Sequence, residues 1–467
     1  MFRRISQFCK QLFEDSPKPI AEENTQTGLS LEVVPRNGHA ISRRQISENA
    51  IKVLYRLHKS GFKAYLVGGG VRDILLGMQP KDFDVVTNAT PEEIKRLFRN
   101  CRLVGRRFRL AHIVFGRDVI EVATLRGHHV DSGEKISKTN ESGRLLRDNV
   151  YGSIDEDAER RDFTVNALYY DISDFSIHSY GGGLEDLESR TIRLIGDPET
   201  RYREDPVRML RAVRFATKLD MNIEAKTAEP IKALAGLLKD IPAARMYEEV
   251  LKLFFAGRAL ENYHMMREFG LFEPLFPLVE AQLKEAPNGA IAKLMQEMMA
   301  STDERVEQDK PVTPAFFYAA LLWYPLSQRA DDIALESGLT MYDAYNAAMG
   351  DIMEQQCRSI SVPRRFSTVT KDIWQLQLRF ERNRGTKAFR FIEHPKFRAA
   401  YDLLLLRAHA EGGVIAKNAA WWKSFVEGSE DQRNVIARSA NKGGRNRSSN
   451  QRRRRKPSAK SAPKSAE

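Results

Sequence analysis

Two aspartates separated by one residue, Asp82 and Asp84 in Lys81-Asp82-Phe83-Asp84-Val85-Val86, are the densest chemistry in the chain. Residues two apart in a strand share a face, so both carboxylates project to one side about 6.5–7 Å apart. Oxygen donors so placed suit a hard divalent cation such as Mg²⁺. Just upstream, Gly68-Gly69-Gly70-Val71-Arg72-Asp73 joins a strand-like run to a helix-like one. Glycines there let backbone N–H groups approach an anion, with the helix start adding a positive dipole end. A Gly run alone can be only a turn, and an acid pair alone only a solvated strand edge. Together they describe a site where two metal ions could activate an attacking hydroxyl and stabilise a leaving phosphate.

Other residues fit around that site. Glu121 lies in the apolar run Val119-Ile120-Glu121-Val122-Ala123, where a charge is costly unless it is paired or metal-bound. It is a candidate third carboxylate, its alternative being a solvent-facing edge charge. Arg160-Arg161-Asp162 and Asn166 would share one helix face, and such arginines can donate bidentately to triphosphate oxygens. Asp205 and Arg208 offer an acceptor and several donors to a base edge, although Asp205 followed by Pro206 also reads as a helix cap. Arg106, Arg107 and Arg109 could track an RNA backbone or line a solvated strand edge. Trp323, Trp374, Trp421 and Trp422 read as helix packing, and His128-His129 lack partners at metal spacing.

The elements that must position these groups form an α+β pattern. A linker rich in Pro, Asn and Gly (16–43) precedes an amphipathic helix over 47–59. Strands are expected over 64–67, 83–87, 103–104, 112–115 and 119–125, with helices over 71–76 and 91–98. Without a regular βαβ repeat, a small antiparallel or mixed sheet with helices on one face is expected. Residues 127–158 read as a polar mobile loop. Helices then dominate: 206–218, 243–255, 259–269, 314–323, 344–354, 369–380 and 397–409.

Charge is unevenly spread along the 467 residues. Of the net +12, residues 433–467 hold twelve Lys and Arg against Glu467 alone, leaving the rest of the chain near neutral at +1. This tail, with almost no large apolar side chains, is expected to be disordered and to attract RNA without regard to sequence. Three cysteines without a CxxC spacing exclude a disulfide framework or a zinc site and point to the cytoplasm. No apolar run reaches the ~20 residues of a membrane span. The first fifteen residues place Phe2, Ile5, Phe8, Leu12 and Phe13 at helical spacing, either as a helix docking on the body or as a loose membrane contact.

Gly-Gly-x-Val-Arg-Asp at Gly68–Asp73, Asp82-x-Asp84, Arg160–Leu168 (RRDFTVNAL) and Glu204–Ala216 (EDPVRMLRAVRFA) together resemble the class II template-independent nucleotidyltransferases, which comprise bacterial poly(A) polymerases and CCA-adding enzymes. The segments 103–113, 372–379 and 394–402 resemble the poly(A) polymerase branch. The resemblance implies a palm-like catalytic head (46–180) behind an N-terminal extension (1–45), a neck reading the base (181–255), a helical RNA-binding body (256–428) and a basic tail (429–467). It implies Asp82 and Asp84 as metal ligands, with Asp162 or Glu121 completing the catalytic acids. Gly68, Gly69, Arg72 and Asp73 would lie at the triphosphate, and Arg161, Asp205 and Arg208 at the nucleotide. Arg106, Arg107 and Arg109 are expected RNA contacts, joined by Arg452, Arg453, Arg454 and Arg455 of the tail. The implied reaction is template-independent addition of AMP from ATP to single-stranded RNA 3′ ends, with two Mg²⁺ ions (Mn²⁺ as substitute) and pyrophosphate release. A zinc-free monomer working with RNA-decay nucleases or RNA chaperones is expected. The rivals are a CCA-adding enzyme, which would share every catalytic residue, and a non-catalytic RNA-binding factor.

Overall fold

The computed structural model describes residues 28–105, 109–127, 137–139, 145–148 and 150–440. Its contacts divide the chain into two units: residues up to Ile241 with Glu268–Leu271, and Pro242–Arg267 with residues from Phe272 onward.

The first unit is built on one sheet. Its strands are β1 (Leu31–Val34), β2 (Ala64–Val67), β3 (Asp84–Thr87), β4 (Cys101–Val104), β5 (Leu110–Phe115), β6 (Asp118–Thr124), β9 (Leu168–Asp171) and β10 (Ile177–Tyr180), with β7 (Ser137–Thr139) and β8 (Leu145–Asp148) pairing apart. The sheet order is β1-β10-β9-β2-β3-β6-β5-β4, antiparallel throughout except for the parallel β3–β6 pair. Its helices as far as residue 219 are α1 (Glu48–Lys59), α2 (Gly69–Leu75), α3 (Pro91–Leu97), α4 (Ile154–Glu159), α5 (Gly183–Glu188), α6 (Pro198–Glu204) and α7 (Val207–Leu219).

Local sequence explains most of these elements. Ser47 accepts the Ala50 N–H at 3.1 Å to start α1, whose Ala50, Val53, Leu54 and Leu57 are buried. Thr90 and Glu93 form a reciprocal capping box with Pro91 in the first turn of α3. Four-residue β2 is buried on both faces and reads as an unbroken apolar run, as an interior strand should.

Four expectations need correction. The region expected as linker contains β1, whose Leu-Glu-Val-Val run pairs with β10 and extends the sheet to eight strands. The polar stretch 127–158 contains the β7–β8 hairpin and α4, which Ser153 and Glu156 cap reciprocally. The face expected to carry Asp162 and Asn166 on a helix is a single 3₁₀ turn over Thr164–Asn166 leading into β9. Residues 430–440, the start of the expected disordered tail, are helical. There Arg433 donates to the Phe425 and Val426 carbonyls at 2.9 and 2.7 Å, and Ala437 is buried. The amphipathic N-terminal segment and residues 441–467 lie outside the described residues.

The second unit is all-helical, including Ala243–Phe254, Ala290–Glu307, Pro314–Leu321, Trp323–Ser337, Met341–Ser359, Arg364–Gln377, Phe397–Glu411 and Gly413–Glu427. Trp374 and Trp422 donate their indole N–H groups to the Ala319 and Phe380 carbonyls at 2.8 and 3.0 Å, and both are buried, in keeping with the packing reading. No helix among the described residues is long and apolar enough to cross a membrane.

Candidate active site

Register brings the acids together. In the antiparallel β2–β3 pair Val67 faces Asp84, and in the parallel β3–β6 pair Asp84 faces Glu121. Adjacent positions in neighbouring strands place their side chains on one face. Asp84, Glu121 and Arg161 line a cavity of about 190 Å³ with Val67, Leu110 and Ala123. Asp84 stays open to solvent on one side, yet its carboxyl is pushed up to about 6. Loss of hydration toward the cavity is the main cause, followed by the charge of Glu121; Arg161 opposes and Asp82 adds to it. His112, opposite Glu121 in the β5–β6 pair, places Nε2 3.4 Å from Glu121 Oε1.

The donors fit a hard divalent cation in kind, because the charges of Glu121 and Asp82 both act on the Asp84 carboxyl, although β3 begins at Asp84 and leaves Asp82 ahead of the strand. Among the described residues, no group of three or more His, Cys, Asp and Glu is already gathered tightly enough to enclose an ion.

The glycine turn follows β2 and lies against Arg161. Gly68 adopts φ +67° and ψ −126°, and its N–H donates to Leu168 O at 3.0 Å. A Cβ there would lie 3.2 Å from Arg161 Nη1 and 3.6 Å from Asn166 O. Arg161 is held by Tyr169 Oη at 2.7 Å and Asp157 Oδ2 at 3.1 Å. Burial works against its charge, but Tyr169 and Asp157 more than compensate and raise its pKa.

Arg72 and Asp73 face inward. Arg72 is 2% exposed, donates to Asp73 Oδ1 and to Asn166 Oδ1, and lies 5.2 Å from the Phe215 ring centre. Asp73 also meets Lys218 Nζ at 3.4 Å. The pair thus ties α2 to α7 instead of lining the cavity. Asp162 likewise is not gathered with the Asp84–Glu121 pair: it accepts from the Phe163 N–H, Asn166 Nδ2 and Arg211 Nε at 2.8, 3.0 and 2.6 Å. Of the two candidate third carboxylates, Glu121 is the one placed beside Asp84.

The base-reading candidates sit among arginines. Asp205 Oδ1 accepts the Val207 N–H at 3.3 Å, which starts α7. Arg208 Nη1 donates to Glu204 Oε2 and Arg201 O, while Arg201 reaches the Arg160 and Arg161 carbonyls and shares Glu204. Arg160 is pushed down to about 10 by burial and then by Arg126, Arg201 and Arg208, with Glu204 opposing. Clustered cations with so few acids attract an anion.

Of the RNA candidates, only Arg109 falls where the structure describes it, and there it pairs with Glu92. Arg106 and Arg107 lie outside the described residues, as do His128 and His129. The four tail arginines expected to touch RNA, Arg452, Arg453, Arg454 and Arg455, also lie outside the described residues.

Sequence reasoning missed His112, Arg126, Asp157, Tyr169, Arg201, Glu204, Arg211 and Lys218. Helical spacing could have signalled Asp157–Arg161 and Arg201–Glu204–Arg208. No local pattern signals Asp162–Arg211, whose partners are 49 residues apart.

Comparison with known proteins decides the family. Residues 64–193 match the poly A polymerase head domain, 220–283 a probable RNA and SrmB-binding site of polymerase A, and 337–459 the polymerase A arginine-rich C-terminus. Poly(A) polymerase I of Salmonella typhimurium is 54% identical over 428 residues, 91% of this chain and 92% of that one. The chain belongs to the bacterial poly(A) polymerase family. Poly(A) polymerase I of Haemophilus influenzae is 48% identical over 90% of this chain and 94% of its own. A CCA-adding enzyme of Lactobacillus helveticus is more distant, 37% identical over 48% of this chain and 54% of its own. Among solved structures, a tRNA-processing enzyme complex aligns with a TM-score of 0.54 at 24% identity, over 81% of this chain and 92% of that one. The CCA-adding enzyme of Bacillus stearothermophilus in complex with CTP gives 0.52 at 24%, over 82% of each chain. These two likenesses concern fold, and they agree with the α+β head and helical remainder expected of a poly(A) polymerase.

Proposed function

We propose that the protein is a polynucleotide adenylyltransferase that extends RNA 3′ ends with AMP from ATP, without a template. A new bond joins the primer O3′ to the ATP α-phosphorus, the bond from that phosphorus to the β-phosphate bridging oxygen breaks, and pyrophosphate leaves as the hydroxyl proton is released. Asp82, Asp84 and Glu121 would hold divalent cations, as two Mg²⁺ ions. Such ions when bound lower the pKa of the attacking hydroxyl and offset charge on the leaving group.

The chain's own residues do the rest. Arg161 keeps its proton because Asp157 and Tyr169 face it, and it presents a fixed positive charge across the cavity from Asp84. Gly68 leaves room for that guanidinium and keeps the backbone close. Glu204 and the Arg201 carbonyl orient Arg208 beside Asp205, so that donors and an acceptor can meet an adenine edge without search. Arg160, Arg126 and Arg201 draw the polyphosphate in.

The observation that carries this reading is the Asp84–Glu121 register pair facing Arg161, in a chain of this family. The test is incubation with Mg²⁺, an unstructured RNA oligonucleotide and each nucleoside triphosphate in turn. Long ladders with ATP alone are expected. Addition confined to tRNA, CTP first and then ATP, would overturn it in favour of CCA addition. Asp82→Ala should abolish extension, and a variant that still extends would remove Asp82 from the metal set.

A further inference from the structure

A large cavity of the helical unit lies in neither the head nor the tail. It is a half-open groove of about 830 Å³ between the helices Ala290–Glu307, Pro314–Leu321, Arg364–Gln377 and Phe397–Glu411. Its floor is apolar, with Phe316, Phe366, Val369, Leu405 and Leu406 each partly exposed. Its walls carry five cations, Arg305, Lys310, Arg365, Lys396 and Arg398, against two acids, Glu304 and Asp402.

The acids do not neutralise the walls. Arg398 answers Asp402 at 3.0 Å, and Arg305 donates to the Pro311 carbonyl at 2.9 Å. Among the described residues no carboxylate lies within ion-pair distance of Lys310, Arg365 or Lys396. The aromatic floor is also braced: the Phe366 ring is inclined at 30° to that of Tyr247, centroids 6.5 Å apart, and the Arg365 guanidinium rests 4.8 Å from its centre.

Uncompensated cations above exposed rings answer a strand of phosphates whose bases are free to stack. In a duplex the bases face inward and could not reach the floor. The space exceeds what a single base would fill. We infer that this groove holds single-stranded RNA upstream of the growing 3′ end. The inference rests on the polymerase reading and adds a primer-holding site remote in sequence from the catalytic acids. Phosphates meet Lys310, Arg365 and Lys396, and bases rest on Phe316 and the Phe366–Arg365 stack.

The test uses the full chain bearing Arg365→Glu and Lys396→Glu together. The control carries Arg358→Glu and Lys423→Glu, two cations of the same unit outside the groove. Binding of a labelled oligoadenylate of ~15 nucleotides is followed by fluorescence anisotropy at several salt concentrations, alongside extension kinetics and circular dichroism. The groove variant should bind at least about ten-fold more weakly and lose roughly one to two units of salt slope. Its primer KM should rise while kcat at saturating primer and the KM for ATP hold, with an unchanged spectrum. Equal losses in groove and control variants would overturn the assignment, as would unchanged affinity in the groove variant. Displacement of the oligonucleotide from the groove by free AMP at equal phosphate concentration would instead make it a mononucleotide site, and also overturns it. If the unmutated protein fails to extend RNA, the polymerase reading falls, while the anisotropy arm still decides the groove.

Discussion

Asp84 and Asp162 are both acids of the catalytic head, and their surroundings drive them in opposite directions. Asp84 is pushed up to about 6, so the folded protein holds its proton more tightly than the unfolded chain does. Its ionisation therefore disfavours the fold progressively as pH rises from about 4 through 6. Asp84→Asn should raise the melting temperature in EDTA at pH 7.5, with the gain vanishing near pH 4, while extension activity is lost. A lower melting temperature at pH 7.5 would contradict the strained-carboxylate account. Asp162 behaves conversely: burial pushes it up, but Arg211 and the bonds from Asn166 and the Phe163 N–H outweigh burial and hold it at about 2. Its contribution is complete above the unfolded value near 4 and is lost as pH falls through 2, half of it by about pH 3. Asp162→Asn should destabilise the head by about 2–3 kcal/mol at neutral pH, since one pKa unit corresponds to ~1.4 kcal/mol. Urea titrations of both proteins at pH 7 and pH 3 check this, the gap narrowing at the lower pH. The carboxylates themselves were legible, because i, i+2 acids and an acid in an apolar strand are local patterns. That Arg72 faces inward and that Arg211 neutralises Asp162 were not legible, because both depend on α7 packing against α2 and the turn after Asp162.

At the scale of elements, the turn between β2 and α2 does two jobs. It redirects the chain at Gly68 and leaves the space that Arg161 occupies. Gly68→Ala must adopt φ +67° with a Cβ 3.2 Å from Arg161 Nη1, so strain and displacement act together. Positive φ combined with ψ −126° is a region that side-chain-bearing residues hardly enter, and it costs about 1–3 kcal/mol. The variant should lose roughly that much stability and raise the KM for ATP more than the primer KM; equal effects on both would separate the turn from the nucleotide. Strands and helices with strong periodicity were readable: β2 runs over the expected 64–67, and the helix expected over 243–255 is Ala243–Phe254. Hidden elements have weak local signals. β1 is four residues long among Pro, Asn and Gly, and only its pairing with β10 makes it a strand. Residues 430–440 form a helix that depends on Arg433 answering the Phe425 and Val426 carbonyls.

Across the whole molecule, charge is partitioned instead of averaged. Residues 433–467 carry a net +11, but the helix through residue 440 claims Arg433 for the fold. Residues 441–467 still carry ten Lys and Arg against Glu467, a net +9. Cutting after residue 440 should therefore leave the melting temperature unchanged, whereas cutting after residue 432 should lower it, because the Phe425 and Val426 carbonyls lose their donor and Ala437 its cover. On RNA the two truncations should behave alike: weaker binding, a shallower dependence of affinity on salt, and a primer KM that approaches that of the full chain as ionic strength rises. Each phosphate contact contributes about 0.7 to the salt slope on a single strand, so ten cations engaging even half their number would dominate the slope. Residues 441–467 hold no aromatic side chain on which a base could stack, so their loss should affect oligoadenylate and oligouridylate equally. Substitution of Phe316 by Leu in the groove should weaken oligoadenylate more than oligouridylate, because purines stack better on a ring than pyrimidines do. A tail deletion that discriminated between the two oligonucleotides, or a Phe316→Leu that did not, would show that the division between sequence-blind attraction and base stacking is drawn in the wrong place.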